Sequence, residues 1–323
     1  MDVYLGIDVG SVTTKLAVID EREELVTALY VPTQGKPIPV VQQGLREIER
    51  KLPAGTRMRG VATTGSARYL AGVIVGADLV KNEITSHAVA ALHYIPKART
   101  IIEIGGQDSK IILIQDGVVT DFGMNTVCAA GTGSFLDHQA QRLSMSIEEF
   151  SRRALVSQTP VRIAGRCTVF AESDMVHKQQ MGHRVEDIVY GLCQALVRNY
   201  LNNVGLGKQI EPPIIFQGGV AFNQGIVRAF REELKTEIIV PPNHEVMGSI
   251  GAALLVKEAM TVREAGDKTS QFKGFAVSDF AYQTSSFECK SCPNQCEIAQ
   301  LSMDSKVLAR WGGRCDLWEQ TPA

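Results

Sequence analysis

The feature that most constrains the fold is a short pattern that occurs twice in distant parts of the chain. In the first copy, the apolar run Val3 to Ile7 leads into the turn Asp8-Val9-Gly10-Ser11, and a second apolar run starts at Lys15. In the second copy, the turn Gly105-Gly106-Gln107-Asp108-Ser109 is followed by an apolar run that again starts at a lysine, Lys110. Similarity at this separation indicates a duplicated strand-turn-strand unit. The sequence therefore predicts two related α/β halves with a cleft between them.

The length of the chain fits this duplication and leaves room for a small additional module. A chain of 323 residues is longer than one hydrophobic core usually serves. Short β-rich runs alternate with helical periodicity, which is typical of α/β proteins, and Ser146-Ile147-Glu148-Glu149 has the spacing of a capping box. We expect residues 1–95 to form the first half, residues 96–265 the second half, and residues 266–323 a cysteine-rich tail.

Composition and cysteine content restrict the partners and the compartment. The net charge of −2 gives no electrostatic reason to expect nucleic acid, and no apolar run approaches the length of a membrane span. We therefore expect a cytoplasmic protein with no membrane partner. Seven cysteines, several of them crowded between Cys289 and Cys315, suit metal binding in a reducing compartment better than a disulfide framework.

The two glycine turns predict a site for a polyphosphate. Glycine has no side chain, so the backbone can approach a phosphate and present successive N–H groups to it. Asp8 and Asp108 could hold Mg²⁺ through water, and Lys15 could neutralise phosphate charge. The residues assigned to the two turns are Asp8, Gly10, Ser11, Thr13, Lys15, Gly105, Gly106, Gln107 and Asp108.

Two further glycine-rich stretches could contact a nucleoside. Gly218-Gly219-Val220 with Asn223 follows a predicted strand, and Gly248 with Gly251 opens the last long helix. Neither stretch fits a Walker A or a Rossmann fingerprint, and each of the four loops alone is better explained as an ordinary turn. Four such loops in this order are informative. They resemble the ATPase superfamily of actin, sugar kinases and heat-shock chaperones over about residues 1–260.

This resemblance implies an α/β fold of two duplicated, actin-like (ribonuclease H-like) domains around an ATP cleft. The cleft would close and open as ATP is exchanged for ADP. In the leading hypothesis, Asp8, Gln107 and Asp108 organise Mg²⁺ and the attacking water, while Lys15 and the loop amides stabilise phosphate charge.

Two cysteines precede small residues at predicted helix starts. Cys128 precedes Ala129-Ala130-Gly131, and Cys167 follows Gly165-Arg166. A helix N-terminus favours a thiolate and would stabilise an anionic cluster. Two cysteines cannot complete a four-thiolate set, but a two-fold dimer could. Spacing alone leaves buried, inert cysteines as the simpler alternative.

The flanks of both cysteines, Asn82 to Ala88 and the Gly-Gly-Gln-Asp turn resemble the activators of 2-hydroxyacyl-CoA dehydratases. That group includes the benzoyl-CoA reductase ATPase subunits and the reductases of double-cubane-cluster proteins. The resemblance implies a homodimer in which Cys128 and Cys167 of each subunit hold one [4Fe-4S] cluster. Ferredoxin or flavodoxin would be the electron donor. A dehydratase, a ring reductase or a double-cubane-cluster protein would be the acceptor.

Two other functions fit the same fold. An amino-sugar kinase would use the same cleft with an added base, although the sequence identifies no sugar pocket. A chaperone or scaffold would use the ATP switch alone, but the chain has no peptide-binding domain of adequate length after the predicted ATPase halves.

The tail contains the strongest local signal in the chain. Cys289, Cys292, Cys296 and Cys315 give C-x2-C-x3-C-x18-C, a spacing that one four-thiolate metal site can satisfy. Zinc would fit a structural role, whereas Cys292-Pro293 and the electron-transfer setting favour a second [4Fe-4S] cluster. Small activators of the family generally end without such a tail, and larger relatives carry a similar segment.

Overall fold

The computed structural model describes residues 1–125, 129–262, 269–315 and 317–318, so Cys128 lies outside the described residues. The chain forms two compact units. The first comprises Met1–Ser86 with Gly248–Ala323, and the second comprises His87–Met247. The residues from Gly248 onward thus group with the first unit, whereas the sequence-based boundaries assigned residues 248–265 to the second half.

The first unit is built around a mixed sheet with the strand order β3-β2-β1-β4-β5. Its strands and helices are β1 (Asp2–Val9), β2 (Thr13–Asp20), β3 (Leu25–Pro32), α1 (Pro37–Lys51), β4 (Arg57–Thr64), α2 (Arg68–Val75) and β5 (Leu79–Val80). Strand β1 is buried along its length because both faces are covered. Leu5 and Ile7 join the core that contains Leu45 of α1, while Gly6 faces the backbone of Ser249 so closely that a Cβ atom would not fit.

The second unit repeats this arrangement with additional helices. Helix α3 (Glu83–Tyr94) leads into it. The next elements are β6 (Thr100–Ile104), β7 (Ser109–Gln115), β8 (Val118–Met124), α4 (Gly133–Arg142), α5 (Ile147–Leu155), α6 (Thr168–Gln180), α7 (Val185–Asn203), β9 (Ile214–Gln217), α8 (Gln224–Leu234) and β10 (Ile238–Ile239). Helix α9 (Met247–Val262) follows and belongs to the first unit from Gly248 onward. The predicted capping box is confirmed, because Ser146 Oγ accepts a hydrogen bond from the backbone N–H of Glu149 at the start of α5.

The two sheets have the same topology. The order in the second sheet is β10-β9-β6-β7-β8. Read from its other edge, this is β8-β7-β6-β9-β10, in which each strand takes the place of its counterpart in the first sheet. In each sheet the first strand pairs antiparallel with the second and parallel with the fourth. The duplication predicted from the two glycine turns is therefore confirmed at the level of the whole sheet.

The tail forms an antiparallel sheet that is attached to the first unit. Its strands are β11 (Tyr282–Glu288), β12 (Glu297–Met303) and β13 (Lys306–Trp311). Leu301 and Val277 belong to the same hydrophobic core as β1 and α1. The carboxylate of Asp78 accepts hydrogen bonds from Ser270 Oγ at 2.6 Å and from the backbone N–H of Gln271 at 2.7 Å. Within the described residues, no helix combines the length and the apolar character needed to cross a membrane.

A buried carboxylate holds the loop after α5 against α7. Asp187, in the first turn of α7, accepts hydrogen bonds from the hydroxyls of Ser157 and Thr159 at 2.7 and 3.0 Å. The backbone N–H groups of Gln158 and Thr159 donate two more. Burial alone would raise the pKa of Asp187, but these hydrogen bonds to the ionised form outweigh it and lower the pKa to about 2.

We predict that Asp187→Asn destabilises the protein by about 2 kcal/mol at pH 7, because buried donors lose a charged acceptor. The folded-state pKa lies below the ordinary value of 3.8, so this contribution is complete above about pH 4 and is lost as the pH falls through about 2. Urea unfolding of both proteins at pH 7 and pH 3 measures the difference. Asp116→Asn, in the exposed β7-β8 turn, is the matched control. An equal loss of unfolding free energy at pH 7 and at pH 3 would contradict the prediction.

Candidate functional site

The first glycine turn is a tight hairpin with a salt bridge at its base. The backbone N–H of Gly10 donates to the carbonyl of Thr13 at 3.0 Å, which closes the turn between β1 and β2. Asp8 and Lys15 lie opposite each other in the strand register, and Lys15 Nζ lies 3.2 Å from Asp8 Oδ2. Asp8 is buried. The hairpin therefore combines a buried, lysine-paired carboxyl group at its base with an exposed Ser11 in its turn.

The same hairpin is fixed from the side by the end of β3. Thr33 Oγ1 donates to the carbonyl of Gly10 at 2.9 Å, and the backbone N–H of Thr33 donates to the carbonyl of Val12 at 2.7 Å. The hydroxyls of Thr14 and Thr33 lie 2.9 Å apart. These contacts hold the loop backbone in one conformation, which reduces the ordering cost of binding an anion there.

The second glycine turn reproduces the first, with a different acid from the one that the sequence analysis selected. The N–H of Gly105 donates to the carbonyl of Asp108 at 2.9 Å, as Gly10 does to Thr13. Glu103 and Lys110 lie opposite each other in the register and form a buried salt bridge of 3.0 Å. Glu103 is therefore the counterpart of Asp8, and Asp108 occupies the position of Thr13. The sequence contained the signal, because each lysine follows its acid by seven residues.

A third strand in each unit adds a glycine beside the acid. Thr64 on β4 lies opposite Asp8, and Gln217 on β9 lies opposite Glu103. The next residue in each case is a glycine with positive φ, +88° at Gly65 and +93° at position 218. A Cβ atom there would collide with Asp8 Oδ1 in the first unit, and in the second it would lie 3.0 Å from Glu103 Oε1.

This comparison extends the duplication to the third loop. Gly218 and Gly219, predicted to contact a nucleoside, have a counterpart in Gly65 and Ser66, which the sequence analysis did not select. After the second pair, Val220 is buried and Asn223 caps α8, with its Oδ1 accepting from the backbone N–H groups of Gly225 and Ile226. In the fourth loop, Gly251 packs against the backbone of Ser86, so its missing side chain serves close packing of α9.

Several buried side-chain polar atoms in or next to these loops have no hydrogen-bond partner among the described residues. They include Thr64 Oγ1, Ser109 Oγ, Gln217 Oε1 and Asn223 Nδ2. The Nε2 of Gln217 donates to His87 Nδ1 at 2.8 Å, whereas the amide oxygen of Gln217 has no hydrogen-bond partner among the described residues. An unpaired buried polar atom costs about 1–3 kcal/mol. Such atoms are expected where a polar ligand, a hydrated cation or ordered water supplies the missing bonds.

Cys167 lies where the sequence analysis expected it, at the N-terminus of a helix. It is the N-cap residue of α6, with extended backbone angles of φ −151° and ψ 143°. Its thiol is free and partly exposed. Two large apolar side chains in the first turn of the same helix are exposed, Val169 by 66% and Phe170 by 64%.

The segment after Cys128 contacts the second glycine turn. The backbone N–H of Gly133 donates to the carbonyl of Gly105 at 2.9 Å. The backbone N–H and the hydroxyl of Ser134 both donate to the carbonyl of Gly106, at 2.8 and 2.6 Å. The start of α4 therefore holds the backbone of the hairpin directly, so a shift of one displaces the other.

Asn199 on α7 contacts the segments next to both predicted cluster cysteines. Its Nδ2 donates to the carbonyl of Gly165 at 2.7 Å, two residues before Cys167. Its Oδ1 lies 3.0 Å from the position a Cβ atom would take at Gly131. Asn199 is buried, and its amide therefore fixes the spacing between the two segments.

The remaining cysteines fall into two environments. Cys193 is fully buried in the core of the second unit, and burial raises the pKa of its thiol, so it is an inert core residue. In the tail, Cys289 is buried and accepts a hydrogen bond from Trp318 Nε1 at 3.2 Å, which lowers the pKa of the Cys289 thiol. Across the described residues, no three His, Cys, Asp or Glu side chains are gathered closely enough to hold a metal ion.

Comparisons with known proteins cover most of the chain. A sequence profile of the BadF/BadG/BcrA/BcrD ATPase family matches residues 5–256. The activator of lactoyl-CoA dehydratase from Anaerotignum propionicum is 34% identical over 263 residues, which cover 79% of this chain and 97% of that protein.

Two solved structures are similar to the chain over the same extent. Component A of (R)-2-hydroxyglutaryl-CoA dehydratase from Acidaminococcus fermentans aligns with a TM-score of 0.74 and 32% identity, covering 80% of this chain and 99% of that one. The activator of 2-hydroxyisocaproyl-CoA dehydratase from Clostridium difficile, with bound ADPNP, aligns with a TM-score of 0.71 and 33% identity, covering 80% and 95%. The expected actin-like α/β fold is confirmed. The profile ends at residue 256, before the cysteines of the tail.

We predict that Asp8→Asn and Glu103→Gln each reduce the kcat of ATP hydrolysis by about 100-fold or more, because each removes the acid at the base of a glycine turn that is expected to contact phosphate. The register predicts a larger loss for Glu103→Gln than for Asp108→Asn. Steady-state hydrolysis with saturating ATP and Mg²⁺ measures both.

Two controls separate catalysis from folding. Glu211→Gln alters an exposed acid outside the hairpins and should leave the rate unchanged. The double variant Glu103→Gln with Lys110→Met removes both buried charges together, so it should recover stability without recovering hydrolysis. Hydrolysis at the parent rate in Glu103→Gln, with a large loss in Asp108→Asn, would reverse the assignment of the acid.

Proposed function

The chain belongs to the BadF/BadG/BcrA/BcrD ATPase family, and on that premise we propose that it hydrolyses ATP to drive electrons into an iron–sulfur enzyme. The observation that carries the proposal is the contact between the second glycine turn and the segment after Cys128, because it links a phosphate loop to a predicted cluster ligand. Similar proteins are named as activators of 2-hydroxyacyl-CoA dehydratases, which supports this function over an amino-sugar kinase.

ATP binding would use the backbone of both glycine turns and the Gly218-Gly219 loop. Each turn offers N–H groups at a tip whose conformation is fixed by neighbouring strands or by α4. The similar activator with bound ADPNP supports a nucleotide at loops of this kind. Lys15 and Lys110 neutralise the carboxylates beside them, which lets negatively charged phosphates approach the turns. Gly248 in the fourth loop remains a proposed contact to the adenosine.

The residues around the acids fit a hydrated Mg²⁺, which would supply charge stabilisation to the transferred phosphoryl group. Asp8 and Asp108 would accept hydrogen bonds from its water ligands. Thr64, which lies opposite Asp8 in the strand register, and Ser109, which follows Asp108, each carry a buried hydroxyl without a hydrogen-bond partner among the described residues. Gln107 is exposed at the tip of its turn, where its amide could orient the attacking water. Glu103 joins these residues as a second carboxylate at the base of the turn.

Cys167 fits a cluster ligand that is shared between two copies of the chain. The free thiol lies at a helix N-terminus, whose N–H groups and partial positive charge would stabilise an anionic cluster. Val169 and Phe170 beside it would be covered by the second subunit. With Cys128, two thiolates from each subunit would complete the ligands of one [4Fe-4S] cluster, which supplies one-electron transfer when bound.

Coupling between nucleotide and cluster would run through hydrogen bonds of the second unit. A change at Gly105 and Gly106 on hydrolysis moves the N-terminus of α4, and Asn199 relays the change to the segment before Cys167. A ligand shifts an equilibrium only between states that it binds differently, and ATP and ADP differ at the phosphate that the turn would contact. Ferredoxin or flavodoxin would supply the electron. The acceptor would be a dehydratase, a ring reductase or a double-cubane-cluster protein.

We predict that Cys128→Ser and Cys167→Ser abolish ATP-driven electron transfer while nucleotide binding is retained, because the thiolates lie outside the phosphate loops. Anaerobic iron analysis, electron paramagnetic resonance of the reduced protein and nucleotide titration measure the three properties. Cys193→Ala is the matched control, because Cys193 is a core cysteine with no proposed ligand role. A full reduced-cluster signal in either serine variant would remove that cysteine from the ligand set.

A further inference from the structure

The tail brings its four cysteines to one end of its sheet, beyond the part of the chain that the family profile covers. Cys289 follows the last residue of β11, and Cys296 precedes the first residue of β12. Glu288 and Glu297 are paired in the register, and the backbone N–H of Cys289 donates to the carbonyl of Cys296 at 2.8 Å. These two cysteines therefore face each other across the mouth of the hairpin, with Cα atoms about 5 Å apart.

The loop between these two cysteines contains a turn that begins at a third cysteine, Cys292. The N–H of Gln295 donates to the carbonyl of Cys292 at 3.3 Å, and Gln295 has a positive φ of 44°. This turn keeps the loop compact within the three residues that separate Cys292 from Cys296. Cys292 is exposed, so its thiol can rotate without breaking any core contact.

The chain after β13 returns to the same end of the sheet. Gly312 has a φ of +103°, and a Cβ atom there would lie 2.7 Å from the carbonyl oxygen of Glu297, the residue after Cys296. Cys315 follows three residues later and is exposed. The indole of Trp318 then donates to Cys289 Sγ, which ties the final described residues to the first cysteine of the set.

Aromatic and cationic packing holds this end of the sheet together. The rings of Trp318 and Phe287 meet edge to face with centroids 4.9 Å apart, and the guanidinium of Arg310 lies 5.1 Å from the Trp318 centroid. This packing covers one side of Cys289 while Cys292 and Cys315 stay open to solvent. The four cysteines thus lie at one end of the sheet, although no three of their side chains are gathered closely enough to hold a metal ion.

We propose that Cys289, Cys292, Cys296 and Cys315 bind one thiophilic metal centre, separate from the cluster proposed for Cys128 and Cys167. Four thiolates suit both Zn²⁺ and a [4Fe-4S] cluster. Binding requires rotation of the two exposed thiols towards Cys289 and Cys296 and loss of the thiol protons to solvent. The metal would link the loop between β11 and β12 to the residues after β13. This link would stabilise a sheet that is too small to be stable through its own core.

The test measures zinc, iron and acid-labile sulfide per chain in the anaerobically purified full-length protein and in Cys292→Ser and Cys315→Ser. Both variants change exposed residues, so the fold should persist. We expect each to lose about one zinc, or about four iron, per chain. The loss of zinc identifies a structural ion and the loss of iron with sulfide identifies a second cluster. Both outcomes support the four-thiolate site.

Two comparisons make the result independent of the cluster proposed above. Cys167→Ser should remove only about two iron per chain and leave the metal of the tail in place. Cys193→Ala should leave all metal in place. A chelator should lower the Tm of the parent protein and leave that of Cys292→Ser unchanged, because the variant has no tail metal to lose. Unchanged zinc and iron in both Cys292→Ser and Cys315→Ser would overturn the proposal.

Discussion

A buried carboxylate paired with a lysine across a hairpin fixes the geometry of both units. Glu103 and Lys110 are both almost fully buried, and removal of either partner would leave an uncompensated charge at a cost of about 3–5 kcal/mol. A slip of one residue in the register would turn the lysine to the opposite face of the sheet. The salt bridge therefore specifies the register, and the register places a glycine turn two residues beyond the acid in each unit.

The sequence predicted the duplication, the two turns and the helix start at Cys167 because those features are local in the chain. The seven-residue spacing between each acid and its lysine was present in the sequence, but Asp108 is nearer in sequence to Lys110, and the strand register was needed to identify Glu103 as its partner. The sequence analysis did not select Gly65, because its role also depends on strand pairing. Its positive φ and its approach to Asp8 depend on β4 lying parallel to β1, a pairing between distant residues.

The helices added to the second unit form hydrogen bonds with its glycine turn and with the segment before Cys167. The N-terminus of α4 is hydrogen-bonded to the second glycine turn, and Asn199 is hydrogen-bonded to the segment before Cys167; such bonds tolerate little displacement. In the first unit, the corresponding turn is held by Thr33 of an adjacent strand, which leads to no cysteine. The duplicated halves have thus kept one glycine-turn design, and within the part of the chain that the structure describes only the turn of the second half is hydrogen-bonded to the segment that follows Cys128.

The division of the chain has a consequence for biosynthesis. The first unit contains both the earliest strands and the segment after Met247, and Gly6 of β1 packs against Ser249, which is translated much later. The second unit is continuous, from His87 to Met247, and all of its strands emerge from the ribosome in one stretch. Domains generally fold as units during synthesis. The internal unit can therefore complete its core before α9, the helix that covers β1, has been synthesised.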